Sequence, residues 1–232
     1  MIPLRDSVRP RTLPFVNYFL ILINIYVFIR QTMLPETVLE TYFQTYGVIP
    51  SAITHFSPFQ ILAGNWQPFL PLITSIFIHG SLLHLGGNML YLWVFGDNVE
   101  DRLGHFKYLL FYLVCGAAGS IAHIFANPLS QSPLIGASGA IAGVLGAYFI
   151  VFPHSKILTL VPIFIFITII QVKAIYFLFL WFILQLINGL SVFRVNEAAQ
   201  IVAWWAHIGG FLAGVILIKV LKARHFNSYL HN

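Results

Sequence analysis

Charge is what this chain has least of. Only 8% of its 232 residues are Asp, Glu, Lys or Arg, while 59% are hydrophobic. A soluble domain carries about 25% charged residues. So little charge cannot cover a water-facing surface, which excludes a soluble fold and implies an integral membrane protein. Cysteine is nearly absent too. Cys115 stands alone inside an apolar run, so no intramolecular disulfide can form. Acidic groups number seven: Asp6, Glu36, Glu40, Asp97, Glu100, Asp101 and Glu197. All are expected in loops or at span ends, and no H-E-x-x-H occurs. Metal-assisted hydrolysis and a Ser-His-Asp triad therefore lack their carboxylates. The basic residues are scattered singly, so the net charge of +5 is not a nucleic-acid footprint. Tandem repeats and low-complexity tracts are also missing.

What is present is a series of apolar runs. Six qualify as spanning helices, at about 14–32, 82–97, 108–126, 138–152, 173–190 and 200–220. Each is close to the ~17–25 residues that cross a bilayer, except the short fourth. The first resembles a signal peptide in having Arg5, Arg9 and Arg11 ahead of it. It is followed by "RQTMLPETV", with no small-residue cleavage site, and is kept as a span. The 14-residue stretch "ILTLVPIFIFITII" (157–170) is interrupted by Pro162 and reads as an interfacial or re-entrant loop.

Charge placement tests that choice. With six spans, Arg5, Arg9, Arg11, Arg102, Lys107, Lys156, Lys173, Lys219, Lys222 and Arg224 fall on the inner side, and Arg30 and Arg194 on the outer: ten against two. A seventh span would make it seven against five. The positive-inside rule favours six spans with both termini cytoplasmic. The expectation is an all-α membrane protein with one domain, 1–232. It has a six-helix bundle, a short central fourth helix and a long first outer loop (34–66) partly embedded in the membrane. The compact chain suggests a bacterial inner membrane.

Polar groups inside spans are expensive and mark functional candidates. His84 and Asn88 share a face of the second span, at i and i+4. Ser138 opens the fourth and His207 lies in the sixth. Fifteen residues of helix rise only ~22 Å in a ~30 Å hydrocarbon core, so Ser138 ends up submerged below the outer surface. His207 falls at a similar depth. A serine beside a histidine is the pattern of nucleophilic catalysis, with histidine as the general base. The Ser138 N–H, the His84 ring and the Asn88 amide can stabilise an oxyanion. With no carboxylate near His207, a Ser-His dyad is the available chemistry. Blander readings stand beside this one. Gly139/Gly143 and Gly210/Gly214 spacing also serves helix packing, and Asn88 can be interhelical glue. His79 and His123, near outer ends, suit structural roles. A transporter using His84, His123 and His207 as a proton path is the rival of another class.

Three stretches resemble the rhomboid intramembrane serine proteases. "HGSLLHLGGNMLYLWVFGDNVEDRLG" resembles the His-x-x-x-Asn and Glu-x-x-x-Gly signature, here His84, Asn88, Glu100 and Gly104. "GASGAIAG" resembles the Gly-x-Ser-Gly motif with Ser138 as nucleophile, and "AHIGGFLAG" the motif carrying His207, Gly210 and Gly214. The resemblance implies peptide-bond hydrolysis in or beside transmembrane segments of protein substrates, without metal or organic cofactor. It implies a contribution of Gly136 to the oxyanion loop, and substrate entry between the second and fifth spans. A non-catalytic relative that binds membrane proteins is a further alternative. Two positions depart from the pattern. Ala142 stands where some members have an aromatic stacked on the histidine, so His207 must be held by other packing. Trp66-Gln67 stands in the outer loop where many have Trp-Arg, so that loop's anchorage must also differ.

Overall fold

A computed structural model describes residues 1–57, 59, 63–163, 166–191 and 203–221. Arg194, Glu197, the 200–202 start of the expected sixth span and the 222–232 tail lie outside the described residues, as do parts of the first outer loop. Strand β1 (Ile2–Asp6) precedes α1 (Phe15–Thr32). The outer loop follows with α2 (Glu36–Tyr46), α3 (Pro50–Thr54), a 3-10 turn at Gln67–Phe69, α4 (Pro71–Thr74) and a second 3-10 turn at Ser75–Phe77. Helices α5 (Leu82–Leu103), α6 (His105–Ala126) and α7 (Ser138–Val151) come next. Hairpin β2 (Lys156–Ile163) and β3 (Phe166–Lys173) leads into α8 (Ala174–Ser191) and α9 (Trp204–Val220).

The protein is a mainly helical, multi-pass membrane protein. Among the described residues, three helices, α1, α6 and α8, are long and apolar enough to cross a bilayer. The segment Gln67–Phe77 meets α5 at 78°, and the pair together passes the same test; α7 and α9 are shorter apolar helices. Leu22 and Tyr26 on α1, Trp93 on α5, Phe125 on α6 and Phe179 and Ile187 on α8 are exposed. Large apolar side chains on the outside of a bundle are what lipid requires.

α7 sits in the middle. Every residue from Gly139 to Tyr148 is buried. Its glycines, and those of α9, let backbones touch. A Cβ on Gly210 would lie 2.0 Å from the Gly139 carbonyl oxygen, and one on Gly214 2.0 Å from that of Gly143. A Cβ on Gly146 would meet the Phe211 carbonyl oxygen at 2.2 Å. Helix–helix association in lipid depends on such close approach, because lipid supplies no hydrophobic drive between helices.

α1 docks through polar groups instead. Asn17 Nδ2 donates to the Leu92 carbonyl (3.1 Å), and Tyr108 Oη donates to Asn17 Oδ1 (2.8 Å). Near the other end of α1, Gln31 Nε2 donates to the His79 carbonyl at 2.5 Å. The N-terminal end of α1 is capped from another helix. The fully buried Glu100 carboxylate accepts the N–H groups of Val16 (3.1 Å) and Asn17 (2.7 Å), and the His105 ring lies 2.5 Å from it. A carboxylate at a helix N-terminus satisfies orphan donors and opposes the dipole. Gly104, with φ of 77°, makes the sharp break that turns α5 into α6 one residue before His105.

The stretch read as an interfacial or re-entrant loop is a β-hairpin. β2 and β3 pair antiparallel, Lys156 opposite Lys173, and β1 adds to the other edge of β2 with Ile2 opposite Leu160. Asp6 ties this small sheet to the bundle: its Oδ2 accepts from Asn98 Nδ2 (2.9 Å) and from Tyr148 Oη. Burial pushes the Asp6 carboxyl above the usual carboxylate range, against the lowering effect of the Tyr148 bond. The hairpin returns the chain to the end of α7, where Ala174 N–H donates to the Ser155 carbonyl at 2.8 Å.

Candidate active site

A cavity of about 1020 Å³ opens among α5, α6, α7, α8 and α9. Its lining includes His84, Asn88, Ser138, His207, His123 and Trp181. Local chemistry places each of them. Ser81 Oγ caps α5 by accepting the His84 N–H (3.1 Å), which fixes His84 in the first turn. Asn88 follows one turn later on the same face. Its Nδ2 lies 2.9 Å from His79 Nε2, and the Ala137 N–H points at that same nitrogen from 3.5 Å. Two donors facing Nε2 make it the acceptor, so the ring proton belongs on Nδ1. His79, fully buried, thus braces Asn88 and the residue before the serine; reading it as a structural histidine missed that link to the site.

The loop before Ser138 is shaped from both sides. Gly136 has φ of 121°, and a Cβ there would lie 2.7 Å from His84 Nε2. Any side chain at 136 would be strained and would displace the histidine. The Gly136 N–H donates to the Ser75 carbonyl (2.9 Å). It is therefore engaged, and its part at the site is to shape the loop. The first outer loop is anchored without a Trp-Arg pair. Val48 and Leu134 exchange backbone hydrogen bonds at 3.0 and 2.8 Å, Ser51 N–H donates to the Ser130 carbonyl, and Thr54 Oγ1 donates to that of Pro128 at 2.7 Å.

Ser138 is the first residue of α7, and no side chain caps that helix. Its first-turn N–H groups and the positive end of its dipole accordingly lie beside the serine at the cavity. His207 comes from α9, which the glycine contacts press against α7. The His207 ring is held by α8. Its Nδ1 lies 2.8 Å from Gln185 Oε1. Trp181, one turn before Gln185, has its ring centre 5.9 Å away at 34°, and Trp204 stands edge-on at 6.2 Å. This is the other packing that Ala142 makes necessary; Ala142 itself is fully buried within α7. Gln185 was not among the expected site residues, although a glutamine in "FILQLING" is a polar group in a span and meets the same criterion as Asn88. Among the described residues, no group of three or more His, Cys, Asp or Glu is arranged to hold a metal ion.

The pattern of small residues, histidines and a submerged serine has known counterparts. Residues 65–224 match the model of the rhomboid domain. The chain belongs to the rhomboid family. Rhomboid protein 1, mitochondrial, of Saccharomyces cerevisiae is 40% identical over 96 residues, covering 40% of this chain and 28% of that protein. RHOMBOID-like protein 6, mitochondrial, of Arabidopsis thaliana is 33% identical over 167 residues, 70% of this chain and 46% of its own. Rhomboid protease GluP of Bacillus subtilis is 44% identical over 87 residues, 38% of this chain and 16% of its own. In each case the match spans less than half of the relative. Within this rhomboid domain the Glu-x-x-x-Gly residues, Glu100 and Gly104, lie at the far end of α5 from the cavity, where they hold α1 and the α5–α6 break. Gly210 and Gly214 form the α9 face against α7.

Proposed function

We propose that this rhomboid-family chain is a single membrane domain that acts as an intramembrane serine endopeptidase, cutting peptide bonds in or beside transmembrane segments of other proteins. The observation that carries the reading is the shared cavity. Ser138, at an uncapped helix start, faces it from α7, and His207 enters it from the helix welded to α7. Ser138 Oγ attacks the substrate carbonyl carbon while His207 Nε2 takes the hydroxyl proton. The new C–O⁻ is stabilised by the Ser138 N–H, the helix dipole, the His84 ring and the free hydrogen of the Asn88 amide. Collapse breaks the C–N bond, and His207 returns its proton to the leaving amine. Water then attacks the ester, His207 again taking the proton; collapse breaks the C–Oγ bond, His207 returns the proton to Ser138 Oγ, and the acid product leaves.

The route for substrate lies between α5 and α8. These helices meet in their inner halves, where the Phe95 and Phe177 rings are 6.2 Å apart. Further out the cavity reaches both, at Leu83 and Gly87 on α5 and Trp181 on α8. The ten-to-two charge distribution supports six spans with both termini inside and the site opening outward. The relatives named above include mitochondrial proteins and one from a bacterium, so the likeness carries a membrane and not its type.

Cleavage of a single-span substrate in liposomes tests the reading. Ser138→Ala and His207→Ala are each expected to lower kcat/KM by roughly a thousandfold or more. Both should also abolish labelling by a fluorophosphonate. Equal cleavage by wild type and Ser138→Ala would overturn it. Proton or solute transport that survives Ser138→Ala would favour the transporter reading.

A further inference from the structure

We propose that Gln185 is a positioning residue for His207: its amide oxygen accepts the Nδ1–H and so fixes the ring as the tautomer whose Nε2 lone pair is free to take the Ser138 proton. This rests on the Ser138–His207 reading above. A neutral imidazole carries one N–H, and the bond made by one ring nitrogen decides which nitrogen holds it. Gln185 Oε1, 2.8 Å from Nδ1, is an acceptor only, so the proton belongs on Nδ1. The opposite tautomer would present an N–H to the serine, which cannot take a proton.

The placement of Gln185 supports a built contact. It is buried to 7% exposure, in a helix whose outward residues Phe179, Leu180, Leu184 and Ile187 are exposed apolar groups. A buried amide in such surroundings is costly without a partner. Its neighbours on the same face pack on α9 as well. Trp181 and Phe182 lie against Phe211, at ring distances of 6.1 and 4.6 Å, and Gly189 sits against Ile208 and Trp204. That face sets the height of Gln185 at the level of His207. The uncharged amide also explains how the site works without a carboxylate. It orients the base as an acceptor, a task that a carboxylate of the same length could also perform.

The test uses the full chain in detergent with a single-span substrate, comparing wild type, Gln185→Leu and Gln185→Glu. Imidazole ¹⁵N spectra, with the His207 signals identified by difference against His207→Ala, report the tautomer. In the wild type Nδ1 should carry the proton. Gln185→Leu keeps the bulk and removes the acceptor. It should lower kcat roughly tenfold to a hundredfold, a fraction of what a positioned general base supplies. KM should stay within about twofold, and Nε2–H signal should appear. Gln185→Glu restores an acceptor of the same length and should recover most of kcat and the Nδ1–H form. The proposal is overturned if the wild type is the Nε2–H tautomer, or if Gln185→Leu keeps wild-type kcat. It is equally overturned if Leu and Glu variants are impaired alike, which marks a purely structural role. Should the Leu variant fail to fold, the wild-type spectrum and the Glu variant still decide. Failure of the dyad reading has another signature: wild type and Ser138→Ala cleave alike while the tautomer still follows Gln185.

Discussion

α9 packs on α6, α7 and α8, and the last two hold it by different means. Against α7 the contact is backbone on backbone, through Gly210, Gly214 and Gly146. Against α8 it is side chain on side chain, through Gln185, Trp181 and Phe182. The first seam has almost no adjustable atoms, so it fixes the separation of the helices that carry Ser138 and His207. The second is made of rotatable groups, and it aims the imidazole. Separating the two tasks lets the distance between nucleophile and base be rigid while the helix facing lipid stays less tightly bound. A further difference follows for mutation. The α7 seam should be sensitive to any added atom, and the α8 seam to the loss of particular ones.

The sharpest test of the rigid seam is Gly210→Ala. The added Cβ would lie 2.0 Å from a backbone oxygen, with no rotamer to relieve it. Overpacking a tight core costs ~1–3 kcal/mol or more, and we expect the upper end, read as a lowered unfolding midpoint in detergent. Cleavage should fall by at least about tenfold, since α9 must move away from α7 and a misplacement of ~1 Å can cost a hundredfold. Unchanged midpoint and activity would mean that the seam is not the rigid element.

The seam itself was largely legible in the sequence. Glycines at 139, 143, 210 and 214 recur every four residues, the spacing at which small side chains line one helix face. Three of the expected spans, matching α1, α6 and α8, were legible for a similarly local reason, since apolar run length reports directly on bilayer thickness. The hairpin was less so. Pro162 and a length of 14 residues pointed away from a span, but the Ile/Val/Thr content of 157–170, which favours strands, looks the same in an apolar membrane segment. Its partner β1 lies some 150 residues earlier, so that pairing leaves no local trace in the sequence. At the site, Ser138, His207, His84 and Asn88 stand out as polar groups in apolar runs. Gln185 stands out in the same way, but its meaning depends on which helix α8 faces, and an amide is not the carboxylate that a third member usually supplies. His79 hid for another reason: its neighbour Asn88 lies nine residues away across a sharp bend, not one helical turn along.

Trp181→Ala probes the adjustable seam. The variant removes an aromatic wall from His207 and from Phe211 but leaves the Gln185 bond. Trp181 is half-buried, so the loss should be below the ~3–5 kcal/mol of a fully buried aromatic, at about 1–2 kcal/mol. Activity should drop severalfold, with kcat affected more than KM. A drop as deep as that of Gln185→Leu would show that the ring, not the amide, aims the base.

The smallest effect is expected at Gly189→Ala, and it is the best control for the first. Gly189 is also a glycine on a face packed against α9. Its added Cβ, however, would meet Ile208 Cδ1 and Trp204 Cβ at 3.4 Å, ordinary van der Waals contact. An alanine there fills space without pushing backbone, and it removes the entropic penalty of a helical glycine, about 0.5–1 kcal/mol in water. The unfolding midpoint should therefore hold or rise slightly, and cleavage should stay within about twofold of wild type. Equal damage from Gly189→Ala and Gly210→Ala would erase the distinction between the seams, because the same substitution would then meet the same resistance on both sides of α9.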